Sequence, residues 1–541
     1  MVRQRLAPRA SALRHTCLVL LGILLCAAPA IAQDAPACDG PQAVDSTRYL
    51  RQLTLDLFGR VPTESELSAL IDRGGEIDEA FVDEMLESEE VSALIRRHHR
   101  DLLWPSTEAL DVLSAASALL IPASFYAADG DPNRQFLLFT GFYERGGLVP
   151  CNDEPAAWDD EGNLIFEDMP DGTRREGYVM VEPYWAPGTE IKVCALEARI
   201  APVSEDGLDC ATAQGMASGR CGCGPDLQRC ADFAAVTRIT QSLQDQLLRM
   251  VEAPVYEGRP YTDMLLGGEE IVDGALVHYY KYLTPMGIDP IIQVPPVDVA
   301  ALPDIPFTDR TWHTVERASP LHSGILTSMS FLLRFQTGRA RANRYHVAFL
   351  CDPFVAPDTP LPSAEDACSD EPNLRERCGC NYCHSRLEPA AAWWGRFADA
   401  GTMLLDDATY PTYLRRCAEC ARDPGRPCDF ICQRFYVSEI GHEKQEPYAG
   451  VLKSYEWRDE AEVARVEAGP AGLVQQSIED GTLASCTAEQ LFTRLYKRPP
   501  TADEKLRELP RFARAFADSD YDFKALIKAL VVDPAYRRMV R

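Results

Sequence analysis

Apolar residues recur at three- and four-residue spacing near both ends of the chain and through its middle, a period that predicts a mainly α protein. Over residues 45–104, Tyr49, Leu50, Leu53, Leu57 and Phe58 mark a first helix. Val61-Pro62 stops it, and Thr63 with Glu66 three residues on has the form of a capping box for a second helix carrying Leu67, Leu70 and Ile71. Phe81, Met85, Leu86, Val91, Leu94 and Ile95 extend the pattern through two more helices to Leu103. His98 and His99 end that run beside Arg96, Arg97 and Arg100, where basic groups favour a helix C-terminus, so they read as structural and not as ligands.

The period changes over residues 120–230. Short apolar runs at 136–139, 178–181 and 191–194 are separated by Gly, Pro and Asp turns, which predicts a β-containing insertion held by disulfides among Cys151, Cys194, Cys210, Cys221, Cys223 and Cys230. Helical spacing returns over 231–283, with Leu243, Leu247, Leu248 and Val251 on one face. After a break at Pro260-Tyr261-Thr262-Asp263, Ile271, Leu276, Val277 and Tyr280 form another face. A proline-rich connector over 285–306 reads as extended surface chain. Residues 325–335 read as a helix or a buried run, 339–350 as a helix rich in arginine, and Trp393, Trp394 and Phe397 as an aromatic helix. The C-terminal end is helical, with Thr487-Ala488-Glu489-Gln490 as an N-terminal cap and Pro499-Pro500-Thr501 as a stop and restart. The pattern therefore gives a multi-domain helical protein with a disulfide-rich β-containing insertion. Its segments are 1–32 (leader), 33–119 (N-terminal helical), 120–230 (Cys-rich insertion), 231–300 (middle helical and connector), 301–409, 410–480 (Cys-rich insertion) and 481–541 (C-terminal helical).

Composition adds an address. Arg3, Arg5, Arg9 and Arg14 precede an apolar run over 17–28 and the small-residue site Ala30-Ile31-Ala32, the form of a cleaved signal peptide. Cys26 follows Leu24-Leu25 and not a small residue, which argues against lipidation. No later apolar run is long enough to cross a bilayer, so the expectation is a periplasmic or secreted protein without a membrane span. Removing the leader and its four arginines leaves 50 basic against 82 acidic residues. Such a balance excludes nucleic acid and anionic lipid as primary partners; it would attract a basic redox partner but reads first as a solvated acidic surface, and the oligomeric state is not set. Seventeen cysteines remain after Cys17 and Cys26 leave with the leader, and outside the cytoplasm most should be paired.

One pentapeptide carries chemistry. Cys380-Asn381-Tyr382-Cys383-His384 spells the attachment sequence of one covalently bound haem c: two thiols form thioethers to the porphyrin vinyl groups, and the adjacent His becomes the proximal iron ligand. The competing reading is a cysteine-dense disulfide loop, since Cys378 lies two residues upstream. A sixth ligand downstream is limited to Met403, Met539 or His442, with Met403 the first candidate. The nearby Trp393, Trp394 and Phe397 fit either a porphyrin face or the core. Cys417, Cys420, Cys428 and Cys432 suit zinc, an iron–sulfur cluster or two local disulfides, the last favoured by the compartment. Gly441-His442-Glu443 starts like a zinc-protease helix, but Glu446 stands where the second His is needed. No nucleophile elbow or phosphate loop is present, so no catalytic residue is assigned and enzymatic activity stays open.

The order of several segments resembles a family. Residues 49–63 with 81–88, then Pro260-Tyr261-Thr262-Asp263-Met264-Leu265 with Tyr279-Tyr280, then Ser319-Pro320, Gly324-Ile325-Leu326-Thr327 and Cys380 to His384, and finally Asp522-Phe523-Lys524-Ala525-Leu526, are similar to the planctomycete cytochrome-C-like secreted proteins built from several domains of unknown function. The resemblance implies thioether roles for Cys380 and Cys383 and a proximal role for His384. The chain departs from the pattern in its long cysteine-rich insertions and in having Leu387-Glu388-Pro389-Ala390 after the motif. Two functions follow: an exported monohaem redox or electron-transfer protein, or a disulfide-rich secreted scaffold without haem.

Overall fold

Local capping starts the helices at the N-terminal end. The computed structural model describes residues 44–105, 154–170, 172, 174–203, 207, 209–210, 221–284, 294–355, 358, 366–423 and 425–537. The leader (1–32), the apolar run 136–139, Cys151 and Met539 lie outside the described residues. Asp45 caps α1 (Ser46–Leu57), Thr63 and Glu66 form the expected capping box of α2 (Glu64–Asp72), and Asp78 caps α3 (Glu79–Leu86). Helix α4 (Ser92–Leu103) ends where Trp104 turns left-handed. The long α5 (Phe233–Tyr256) follows, then α6 (Met329–Arg334), α7 (Gly338–Phe349), α8 (Asn381–Ala391), α9 (Arg415–Arg422) and α10 (Phe430–Phe435). The chain closes with α11 (Glu460–Glu479), α12 (Thr482–Tyr496), α13 (Ala502–Arg507), α14 (Leu509–Asp518) and α15 (Phe523–Val532).

The protein is mainly α. About 51% is helical, and the named strands pair only two by two, all antiparallel. In the Cys-rich insertion β1 (Glu167–Asp168) meets β2 (Arg174–Arg175), and β3 (Tyr178–Val181) meets β4 (Ile191–Cys194) with Tyr178 opposite Cys194. Disulfides Cys210–Cys221 and Cys223–Cys230 hold the same region, and Cys194 is also disulfide-bonded. The third pair, β5 (Glu269–Val272) with β6 (His313–Glu316), stands where the sequence pattern predicts a helical face through Ile271. Burial alternates along β5 because Glu270 turns inward to meet Arg317 at 2.6 Å, both side chains almost wholly buried. That partner is remote in sequence and invisible to periodicity.

Both ends of the chain enter one hydrophobic core. Leu50 and Leu53 of α1, Ile95 of α4, Phe331 of α6, Tyr345 of α7, Phe492 of α12 and Leu526 of α15 belong to it. Polar ties close it: the Tyr49 hydroxyl donates to the Val531 carbonyl at 2.9 Å, and the Tyr536 hydroxyl to Asp56 at 2.8 Å. His98 and His99 are inside this core and not at a helix end; His99 Nε2 lies 2.7 Å from the Tyr261 hydroxyl and Nδ1 2.8 Å from the Ile95 carbonyl. Their structural reading stands, but burial and not the helix dipole explains it. Thr487 lies within α12 and donates to the Leu483 carbonyl, so the N-cap expected there does not form; the helix starts five residues earlier, after Gly481. Thr501 does restart the chain, in a capping box with Glu504. Among the described residues no helix is long and apolar enough to cross a membrane.

Arg341 of α7 is fully buried and spends its guanidinium on four carbonyls: Phe335 at 2.8 Å, Phe397 at 3.2 Å, and Ala398 and Gly401 at 3.0 Å each. Burial lowers its pKa to about 10, still far above neutrality. We expect Arg341→Met to destabilise the protein by at least about 3 kcal/mol, since it strands several buried carbonyls; the check is urea unfolding, with an unchanged midpoint refuting the role.

Four histidines are held neutral by burial: His98 well below its ordinary value, His99 and His278 down to about 4, and His322 to about 3. Their unfolded values lie near 6.5. The unfolded chain therefore binds more protons as pH falls below about 6.5, and stability is lost from there toward pH 4, by about 1.4 kcal/mol per pH unit for each His. Thermal melts between pH 7.5 and 4.5 should show a steepening fall below 6.5, and a flat profile there would contradict these environments.

Candidate haem-attachment site

Cys380 occupies the N-cap position of α8, so Cys383 and His384 fall in its first turn and Glu388, four residues after His384, lies on the same face. Cys380 and Cys383 are free thiols, both partly buried. Their crowding neighbour is occupied: Cys378 is bonded to Cys368. The other described cysteines are also paired. Cys351 joins Cys486, tying the segment after α7 to α12, while Cys417–Cys432 and Cys420–Cys428 form the two local disulfides expected for that quartet. Among the described residues no group of three or more His, Cys, Asp or Glu is arranged to hold a metal ion.

His384 is oriented by Glu388. Its Nδ1 stands 2.6 Å from Glu388 Oε1. Glu388 is itself fixed by Arg339 Nε at 2.5 Å and by the Arg458 guanidinium at 3.5 Å, and Arg458 also donates to the Glu388 carbonyl. Burial pushes the Glu388 carboxyl up, but the Arg339 and His384 hydrogen bonds with the Arg charges outweigh it and hold the group below its ordinary value. An ionised acceptor selects the tautomer with the proton on Nδ1. Nε2 then carries the lone pair, and it makes no hydrogen bond among the described residues. Two spare thiols at the right spacing and an imidazole with a ligand nitrogen open fit the attachment of haem c.

The remaining expectations divide. Trp393, Trp394 and Phe397 are all buried core, with Trp394 Nε1 donating to the Leu326 carbonyl at 3.1 Å. Met403 packs on a separate cluster with Leu405, Cys417 and Phe435, and the Tyr410 hydroxyl lies 3.9 Å from its sulfur. No hydrogen bond links Met403 to His384 among the described residues. His442 is engaged locally, its Nδ1 accepting the Lys444 N–H. Sequence reading overlooked Glu388, Arg339 and Arg458. The four-residue spacing from His384 to Glu388 was an available signal; the two arginines come from distant segments and left none.

A cavity of about 600 Å³ adjoins the site, with Arg339, Arg375, Glu388, Trp394, Lys453 and Arg458 on its walls. Glu388 thus both binds His384 and lines this cavity. Compared with known proteins, the chain matches no described family, no curated protein and no solved structure.

Proposed function

We propose that this is an exported monohaem c-type cytochrome-like protein with a redox or electron-transfer role, its haem held by Cys380 and Cys383 and ligated by His384. The observation that carries this reading is the free pair Cys380 and Cys383 in a chain whose other described cysteines are disulfide-bonded, next to an imidazole fixed through Nδ1. The group supplies a one-electron iron couple when bound. Cys380 and Cys383 would hold it through two thioether bonds and His384 would ligate its iron. Glu388 holds the Nδ1 proton of His384 and strengthens Nε2 as a donor, while Arg339 and Arg458 keep that carboxylate ionised. The disulfides suit a periplasmic or secreted protein, and the acidic balance of the chain suits a basic redox partner. The density of disulfides also favours a second reading, a disulfide-rich secreted scaffold or binding module in which Cys380 and Cys383 are ordinary bridge cysteines.

The deciding measurement is the visible spectrum, oxidised and dithionite-reduced, of protein matured in a host that attaches haem c. We expect a Soret band that survives denaturing extraction and is lost in the Cys380→Ala, Cys383→Ala variant. A colourless folded protein with Cys380 in a disulfide would leave the scaffold reading.

Glu388→Gln tests the orientation of His384. We expect haem retention with a higher reduction potential, by about 60 mV or more, as an anion next to the proximal ligand is removed and Arg339 and Arg458 lose their counter-charge. An unchanged potential in a folded variant would remove Glu388 from the site.

A further inference from the structure

A cleft of about 720 Å³ opens between the turn after α1, the middle of α4 and the C-terminal end of α12. Its charged lining is Asp56, Arg97, Arg494, Lys497 and Arg498, four cations against one carboxylate in a chain of formal charge −28. Three of the cations have carboxylate partners: Arg494 meets Asp101 at 2.7 Å, Lys497 meets Asp56 at 2.8 Å, and Arg498 grips Glu504 with both guanidinium nitrogens, at 2.7 and 2.6 Å. The helix dipole alone would gather Arg494, Lys497 and Arg498 at the end of α12.

Arg97 is different. It comes from the middle of α4, is partly buried, donates to the backbone carbonyl of Asp56 at 3.0 Å and forms no ion pair among the described residues. The Asp56 carboxylate is shared, with Lys497 on Oδ1 and the Tyr536 hydroxyl on Oδ2. Gly59 is shaped around the guanidinium: its φ is +78°, and a Cβ there would stand 2.2 Å from Arg97 Nη1. Burial and the like charge of Arg494 lower its pKa, and the nearby charges of Asp56 and Asp101 offset this only in part. A partly buried guanidinium of this kind gains from a counter-charge, and its planar fork matches an oxyanion.

We propose that this cleft binds a phosphate or sulfate group borne by a small molecule, with Arg97 as the fork and Arg494, Lys497 and Arg498 supplying the surrounding positive charge. The cleft is larger than a lone ion needs and lies in the range of small-molecule sites. The site is independent of haem attachment.

The test is isothermal titration of the full mature protein with inorganic phosphate, sulfate, a sugar phosphate and citrate, against sodium chloride at matched ionic strength. We expect the tetrahedral anions to bind, the sugar phosphate more tightly than free phosphate, and Arg97→Gln to weaken binding at least tenfold while exposed Arg100→Gln on the same helix leaves it unchanged. In the unsubstituted protein, phosphate should slow phenylglyoxal modification of Arg97, read by peptide mass spectrometry, and this holds the test open if Arg97→Gln does not fold. Equal heats from chloride, binding only of citrate, full binding by folded Arg97→Gln, or no protection of Arg97 would each overturn the proposal.

Discussion

The guanidinium of Arg341 is the constraint on which the geometry around α8 depends. A buried cation is unfavourable unless its donors are satisfied, and Arg341 uses four of its five N–H donors on the carbonyls of Phe335, Phe397, Ala398 and Gly401. Those carbonyls belong to the chain entering α7 and to the loop that leaves the α8 region. Helix α7 is thereby fixed against the end of the segment that carries the thiols and His384. Two further ties run the same way. Arg339, two residues before Arg341, reaches Glu388, and the Cys351–Cys486 bond secures the far end of α7 to α12. The candidate site is therefore held by covalent and ionic ties from three parts of the chain, and its position does not rest on local helix propensity, which is modest for a segment with Pro389 inside.

The main core sets the wider frame. Its residues come from α1 and α4 at one end and from α14 and α15 at the other, and the hydrogen bonds of Tyr49 and Tyr536 join positions more than 470 residues apart. Contacts of that separation carry a high loop-closure cost, so disulfides that shorten the loops within the chain act in the same direction as the core. The cleft beside Arg97 lies on this join, where the turn after α1 meets the end of α12.

What was legible in the sequence was local. The capping boxes at Thr63 and Thr501 needed only residues three apart, and the two disulfides within 417–432 followed from spacing and compartment. The helical class was legible because the burial of Leu50, Leu53 and Leu57 repeats with the helix period. Features set by distant partners were not. The β5 strand is defined by pairing with β6 more than forty residues on, and Glu270, polar by type, is internal only because Arg317 meets it. His98 and His99 beside three arginines looked like a charged helix end, yet Phe523 packs on both rings and Tyr261 on His99, from other parts of the chain. At the candidate site the thiols and His384 were plain from their motif, while the network behind His384 depended on Arg339 and Arg458, which only the fold brings near.

That network has a physical consequence for how the imidazole is held. A His fixed by packing alone keeps freedom of ring rotation, and its tautomer is set by whichever weak acceptor is near. Here the acceptor is a carboxylate that two guanidinium groups immobilise and keep ionised, so ring orientation and proton position are set before any ligand reaches Nε2. Glu388 is only slightly exposed, and in that setting its charge is screened less than at an open surface. The same carboxylate, with Arg339 and Arg458 beside it, forms part of the wall of the neighbouring cavity, so the groups that fix the imidazole also line that space.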